Sequence, residues 1–128
     1  FERYEKIKAT EQRSESMYVE DADIVVVAYG AAARVCMSAI KDARAKGIKV
    51  GIVRPITLWP FPTDALKAAA KNAKAFLTVE MSKGQMVDDV RLAIECSRPV
   101  HFYGRTGGMI PQPAEVLREI EKIAGGIR

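Results

Sequence analysis

Ile24-Val25-Val26-Val27-Ala28-Tyr29, closed by Gly30, is the stretch that decides the architecture. A continuous apolar run rich in β-branched residues, with no polar alternation, reads as a strand covered on both faces, which is the signature of a parallel sheet between two helical layers. The residues that follow, 31–46, change period. Val35, Ala39, Ile40 and Ala43 fall on one side of a 3.6-residue repeat, Lys41, Asp42, Arg44 and Lys46 on the other, and Gly47 supplies a stop.

Working outward, the same strand-then-helix unit recurs. Residues 49–54 form a second strand, followed by the loop Pro55-Ile56-Thr57-Leu58-Trp59-Pro60-Phe61-Pro62 and a helix over 64–72 with Thr63 as its cap. Residues 75–80 are the third such strand. The helix after it spans 85–96, with Met86, Val90, Ala93 and Ile94 on its inner stripe. Residues 99–103 supply the fourth. Gln112, Pro113 and Glu115 then start a helix whose stripe is Val116, Leu117, Ile120 and Ile123, with Gly125-Gly126 expected to end it. Four units with short connections require right-handed crossovers and helices on both faces. The expected class is therefore a three-layer α/β/α fold on a mostly parallel five-stranded sheet.

The fifth strand is assigned to the leader, residues 1–20. Residues 4–9 and 17–19 alternate, the stretch between them is polar, and an antiparallel edge strand or a clamp is expected there. Residues 21–128 are the α/β domain proper. The chain begins at Phe1 with a charged stretch and no signal-type apolar segment, so it is expected to be a fragment of a longer subunit.

Composition narrows the function classes. No apolar run approaches the roughly 20 residues that span a bilayer, and membrane insertion is not expected. Cys36 and Cys96 lack CxxC spacing, so they read as small buried hydrophobes in a reducing, cytoplasmic setting and not as metal or cluster ligands. The net charge of +4, from 20 basic and 16 acidic residues, carries no basic stripe interleaved with aromatics, and nucleic acid is not an expected partner.

In an open α/β sheet, ligands and partners gather at the carboxyl ends of the strands. Gly30-Ala31-Ala32-Ala33 lacks the further glycines of a dinucleotide fingerprint. The loop 54–62 holds Trp59 and Phe61 among stiffening prolines, which suits either a lid over the core or buried anchors of a protein contact. Glu80 and Gln85 bracket a polar turn, and Glu80 could pair with Arg54 or Arg105. Gly104-Arg105-Thr106-Gly107-Gly108 offers a guanidinium fork beside flexible backbone, making Arg105, Gly107 and Gly108 candidate anion contacts. Trp59, Phe61, Glu80, Gln85 and Arg105 are the interface candidates. His101 is expected as a packed strand residue. No catalytic residue and no metal ligand set is assigned.

These features, in this order, resemble one family: the C-terminal, transketolase-C-like domain of the alpha subunit of 2-oxoacid:ferredoxin oxidoreductases, of the 2-oxoglutarate or 2-ketoisovalerate type. The resemblance rests on Thr10-Glu11, Glu20-Asp21-Ala22-Asp23, Gly30, the 54–62 loop, Glu80 through Gln85, and Tyr103-Gly104-Arg105-Thr106-Gly107-Gly108. Ser82 departs from the family's usual Asn. The resemblance implies a parent enzyme that decarboxylates a 2-oxoacid oxidatively to acyl-CoA using thiamine diphosphate, Mg, iron–sulfur clusters and coenzyme A. It implies that this domain holds none of these cofactors and instead packs against the preceding domain, the beta subunit and gamma or delta subunits, with ferredoxin as acceptor for the complex. The isolated domain is expected to be inactive. Competing expectations are the C-terminal domain of a 2-oxoacid dehydrogenase or transketolase-like enzyme, and a stand-alone anion-binding regulatory module.

Overall fold

The computed structural model describes residues 14–28, 31–55, 63–80, 85–94, 97–104 and 112–127. Five strands, β1 (Ser14–Met17), β2 (Ile24–Ala28), β3 (Val50–Pro55), β4 (Ala75–Glu80) and β5 (Val100–Gly104), form one sheet in the order β1-β3-β2-β4-β5. β1 runs antiparallel to β3, and every other pairing is parallel. The helices are α1 (Ala31–Ala45), α2 (Thr63–Ala70), α3 (Gln85–Ala93) and α4 (Pro113–Ile127). This is the expected three-layer α/β/α architecture with an antiparallel edge strand.

Strand alternation divides the core in two. Ile24, Val26, Ile52, Leu77 and Val79 face α1 and α4, where they meet Cys36, Ile40, Val116 and Ile120. Val25, Val27, Val53 and Phe76 face the other way onto Leu66 of α2 and Val90 of α3. The central strands β2 and β4 are buried at every position, which is why their sequences run apolar without alternation.

α1 ends where the pattern places its stop. Gly47 has φ of 85°, Gly47 N–H donates to Arg44 O and Ile48 N–H to Ala43 O, both at 3.0 Å. Those two bonds, with Ile48 and Ala43 packed into the same core, make a Schellman cap.

Four local expectations are corrected. The edge strand lies mainly in the polar leader stretch, Ser14–Met17, while Tyr18 and Val19 form the turn after it; an edge strand needs little apolar surface, and charge protects it from further pairing. Residues 4–9 lie outside the described residues. α4 continues through Gly125 and Gly126 to Ile127, because glycine in a helix costs only about 1 kcal/mol against alanine and the packed Ile120 and Ile123 carry the helix. α3 stops at Ala93, short of Cys96, which is outside the described residues. His101 does lie in β5, but it is exposed, because among the described residues no helix packs closely on the face of β5 that carries it.

To pass from β1 to β2 the chain crosses over β3. Arg44, near the end of α1, pins this crossing: its guanidinium donates to Val50 O at 2.8 Å, Tyr18 O at 2.8 Å and Asp21 Oδ1 at 2.7 Å, and lies 4.8 Å from the centre of the Tyr18 ring. The hydrogen bond from Arg44 holds the Asp21 carboxyl below its ordinary value. Its contribution to stability is therefore present at neutral pH and is lost as pH falls through the lowered pKa.

Candidate functional site

The helix after β2 leads to β3, and the helix after β4 leads to β5 on the opposite side, so the connections diverge between β2 and β4. The crevice at the carboxyl ends of those two strands is the favoured place for recognition in such a sheet. Four connections leave this same edge, after Ala28, Pro55, Glu80 and Gly104. The parallel arrangement alone thus brings to one end of the sheet the strand ends from which the candidate loops of the sequence depart.

Glu80 closes β4 at this crevice, only 8% exposed, opposite Gly104 of β5. Alternation sends it to the α2/α3 face together with Thr78, whereas Arg54 follows Ile52 to the α1 face, so the two side chains start from opposite sides of the sheet. Gln85 is the first residue of α3. Trp59, Phe61, Arg105, Gly107 and Gly108 lie outside the described residues, as do Gly30 and Ser82.

His101 and Glu80 do not meet. His101 pairs with Leu77, three positions before Glu80, which at about 3.3 Å per residue is roughly 10 Å along the strand, and it faces the opposite side of the sheet. The pair cannot share a proton across one substrate atom.

One contact at this edge escapes sequence reading. The Tyr103 hydroxyl donates to Glu115 Oε2, tying the end of β5 to the first turn of α4. A tyrosine near a strand end and a glutamate at the third position of a helix are each commonplace, and only the fold brings them together. Thr78, wholly buried, has no hydrogen-bond partner for its hydroxyl among the described residues, a cost on the order of 1–3 kcal/mol.

The described residues do not fit an iron–sulfur cluster or a metal-bound diphosphate. Among them, no group of three or more His, Cys, Asp or Glu is placed to hold a metal ion. Cys36 is wholly buried, and burial pushes its thiol up to about 12, so it is neutral at physiological pH and suited to packing, not to ligation or attack. Among the described residues no helix is long and apolar enough to cross a membrane.

Comparison with known proteins places this geometry. Residues 22–116 match the family model of pyruvate:ferredoxin oxidoreductase core domain II. The ketoisovalerate oxidoreductase subunit VorB of Methanothermobacter marburgensis is 47% identical over 124 residues, covering 97% of this chain and 35% of that protein. The 2-oxoglutarate synthase subunit KorA of the same organism is 37% identical over 103 residues, covering 80% of this chain and 28% of the relative. The chain thus spans about a third of the length of these curated relatives. Among solved structures, 2-oxoglutarate:ferredoxin oxidoreductase from Magnetococcus marinus, with 2-oxoglutarate, coenzyme A and succinyl-CoA bound, superposes with a TM-score of 0.79 at 24% identity over 94% of this chain and 22% of that one. A split-gene transketolase, an inactive beta4 tetramer, gives 0.72 at 21% identity over 86% of this chain and 40% of that one. At those identities the two structures speak for the fold, which is that of a transketolase C-terminal domain. The chain therefore belongs to the pyruvate:ferredoxin oxidoreductase core domain II family, and it matches the alpha-subunit region represented by VorB and KorA in 2-oxoacid:ferredoxin oxidoreductases.

Proposed function

We propose that this chain is the assembly and subunit-interface domain of a thiamine-diphosphate-dependent 2-oxoacid:ferredoxin oxidoreductase acting on a branched-chain 2-oxoacid. The observation that carries the reading is the 47% identity to a ketoisovalerate oxidoreductase subunit along 97% of the chain, against 37% over 80% for the 2-oxoglutarate synthase subunit. A role in assembly is supported by four connections leaving one edge of the sheet, one of them carrying Trp59 and Phe61, while the described residues offer no metal-ligand group. In this reading thiamine diphosphate, Mg, the iron–sulfur clusters and coenzyme A are held mainly by other parts of a cytoplasmic complex. This domain packs against the preceding domain of its own subunit and against the beta and gamma or delta subunits, and ferredoxin accepts the electrons.

The test uses the whole subunit co-expressed with its partner subunits. Acyl-CoA formation coupled to ferredoxin reduction is expected with 2-ketoisovalerate at a kcat/KM at least tenfold above that with 2-oxoglutarate. A preference for 2-oxoglutarate would move the substrate assignment, and turnover with NAD in place of ferredoxin would move the enzyme to the dehydrogenase class.

The assembly role makes its own prediction at Trp59. A buried aromatic anchor is worth about 2 kcal/mol or more at an interface, so Trp59→Ala is expected to weaken subunit association by at least about tenfold while shifting the melting temperature of the subunit by only a few degrees. A large melting shift with unchanged association would make the 54–62 loop a lid over the core.

A further inference from the structure

At the amino end of the sheet, beside α2, the described cations outnumber the acids. Lys67 lies on α2, and Lys71 and Lys74 lie on the turn that leads from it to β4; all three are exposed. Lys49, directly before β3, is exposed as well. None of these four side chains makes an ion pair or a hydrogen bond with a described residue. Arg98 joins them. Its guanidinium donates to Ala73 O at 2.8 Å and to Ser97 O at 2.9 Å, both neutral acceptors, so its charge remains uncompensated. A cation complements the carbonyl end of a helix, and Arg98 already supplies one just beyond α2 by a direct bond. The lysines add charge that the fold does not use.

Few acids share this surface. Asp23 lies between Lys49 and Lys74: its N–H donates to Lys49 O at 2.9 Å, and its carbonyl accepts from Lys74 N–H at 2.7 Å. Glu20 stands at the crossing from β1 to β2, where its carbonyl accepts from Asn72 Nδ2 at 3.2 Å. Asp21 is bound by Arg44, and Asp64 sits at the opposite end of α2.

We propose that Lys49, Lys67, Lys71, Lys74 and Arg98 form a docking surface for an extended acidic segment of a partner protein. The spacing fits such a segment. Lys67 and Lys71 are separated by one turn, about 6 Å along the helix axis, close to the roughly 6.6 Å between alternate side chains of an extended chain. Lys49 and Lys74 flank β2 on its two sides, so their backbones stand about 9.6 Å apart, two strand spacings. Cations spread this widely do not close on one phosphate-sized ion, but they can each meet a successive carboxylate.

The same residues disfavour a nucleic acid. Arg98 has two of its three guanidinium nitrogens held by backbone carbonyls, which leaves it poorly placed to clamp a phosphate. The exposed large aromatic side chains among the described residues are Tyr18, which lies against Arg44, and Phe102 on β5, so bases find no stacking platform among the lysines. Docking here depends on neither the substrate nor the acceptor of the enzyme, and its test reads binding alone.

The test measures binding of a fluorescein-labelled peptide of eight glutamates to the native complex by fluorescence anisotropy at low salt. Lys71→Glu combined with Lys74→Glu is expected to raise its Kd at least about tenfold. Lys41→Glu combined with Lys122→Glu removes the same charge from α1 and α4, on the opposite face of the sheet, and is expected to change Kd less than about threefold. All four lysines are exposed, so neither pair of substitutions disturbs the core. Whatever else in the complex takes up the peptide, the difference between the two double variants reports this surface. Equal losses in the two, no saturable binding of the peptide, or tighter binding of a single-stranded DNA octamer or of phosphatidylserine vesicles than of the peptide would overturn the proposal.

Discussion

Gly51→Ala is expected to lower the melting temperature of the domain by on the order of 10 °C, through a loss of about 2–4 kcal/mol. Gly51 sits inside β3 on the α2/α3 face, at the point where the chain crosses from β1 to β2. A Cβ built there lies 2.6 Å from Tyr18 O, 2.8 Å from Tyr18 C and 2.9 Å from Val19 Cα. All three are backbone atoms, so no flexible side chain can swing aside. The crossing segment cannot easily lift either. Tyr18 adopts φ of 59°, a left-handed conformation that costs energy for a bulky residue, and Arg44 holds its carbonyl at 2.8 Å. The substitution must therefore displace the crossing, strain β3, or detach β1 from the sheet. Thermal unfolding by circular dichroism decides it, and a shift smaller than about 3 °C would show that the crossing yields after all.

Phe76→Ala carries the second large effect. Phe76 is 0% exposed, packed in the core that includes Leu66 of α2 and Val90 of α3. Removing a buried phenylalanine costs about 3–5 kcal/mol in lost transfer and residual cavity, a large fraction of the 5–15 kcal/mol typical of a folded domain. The melting temperature should fall by roughly 15 °C. Phe102→Ala supplies the internal control: Phe102 is 42% exposed in the neighbouring strand, and its truncation should cost less than about 1 kcal/mol. Equal losses at the two positions would mean that the burial of Phe76 has been misplaced.

The candidate site was readable from the sequence only in outline. Glu80 could be assigned to a strand end because the β4 run before it is apolar apart from Thr78, and the carboxyl edge of a parallel sheet is where polar termini gather. Its face could not be assigned, since a fully buried strand lacks the alternation that would distinguish its two sides. His101 illustrates the converse. Its place in β5 follows from its neighbours, yet its exposure follows from β5 being the last strand of the sheet among the described residues. The bond from Tyr103 to Glu115 and the latch of Arg44 onto Tyr18 and Asp21 join residues 12 to 26 positions apart, and no local pattern encodes them.

The layered α/β/α class, the strand and helix alternation, the Gly47 stop and the family resemblance were determined by the sequence by itself, because two-sided burial writes continuous apolar runs and one-sided burial writes a 3.6-residue stripe. The strand order β1-β3-β2-β4-β5, the polar leader strand at one edge, the close crossing over Gly51 and the exposure of His101 and Phe102 on β5 were decided only in the tertiary structure. Each of these depends on which distant segments come to lie side by side. That choice is made by the packing energy of the whole assembled core, and periodicity within one segment carries no record of it.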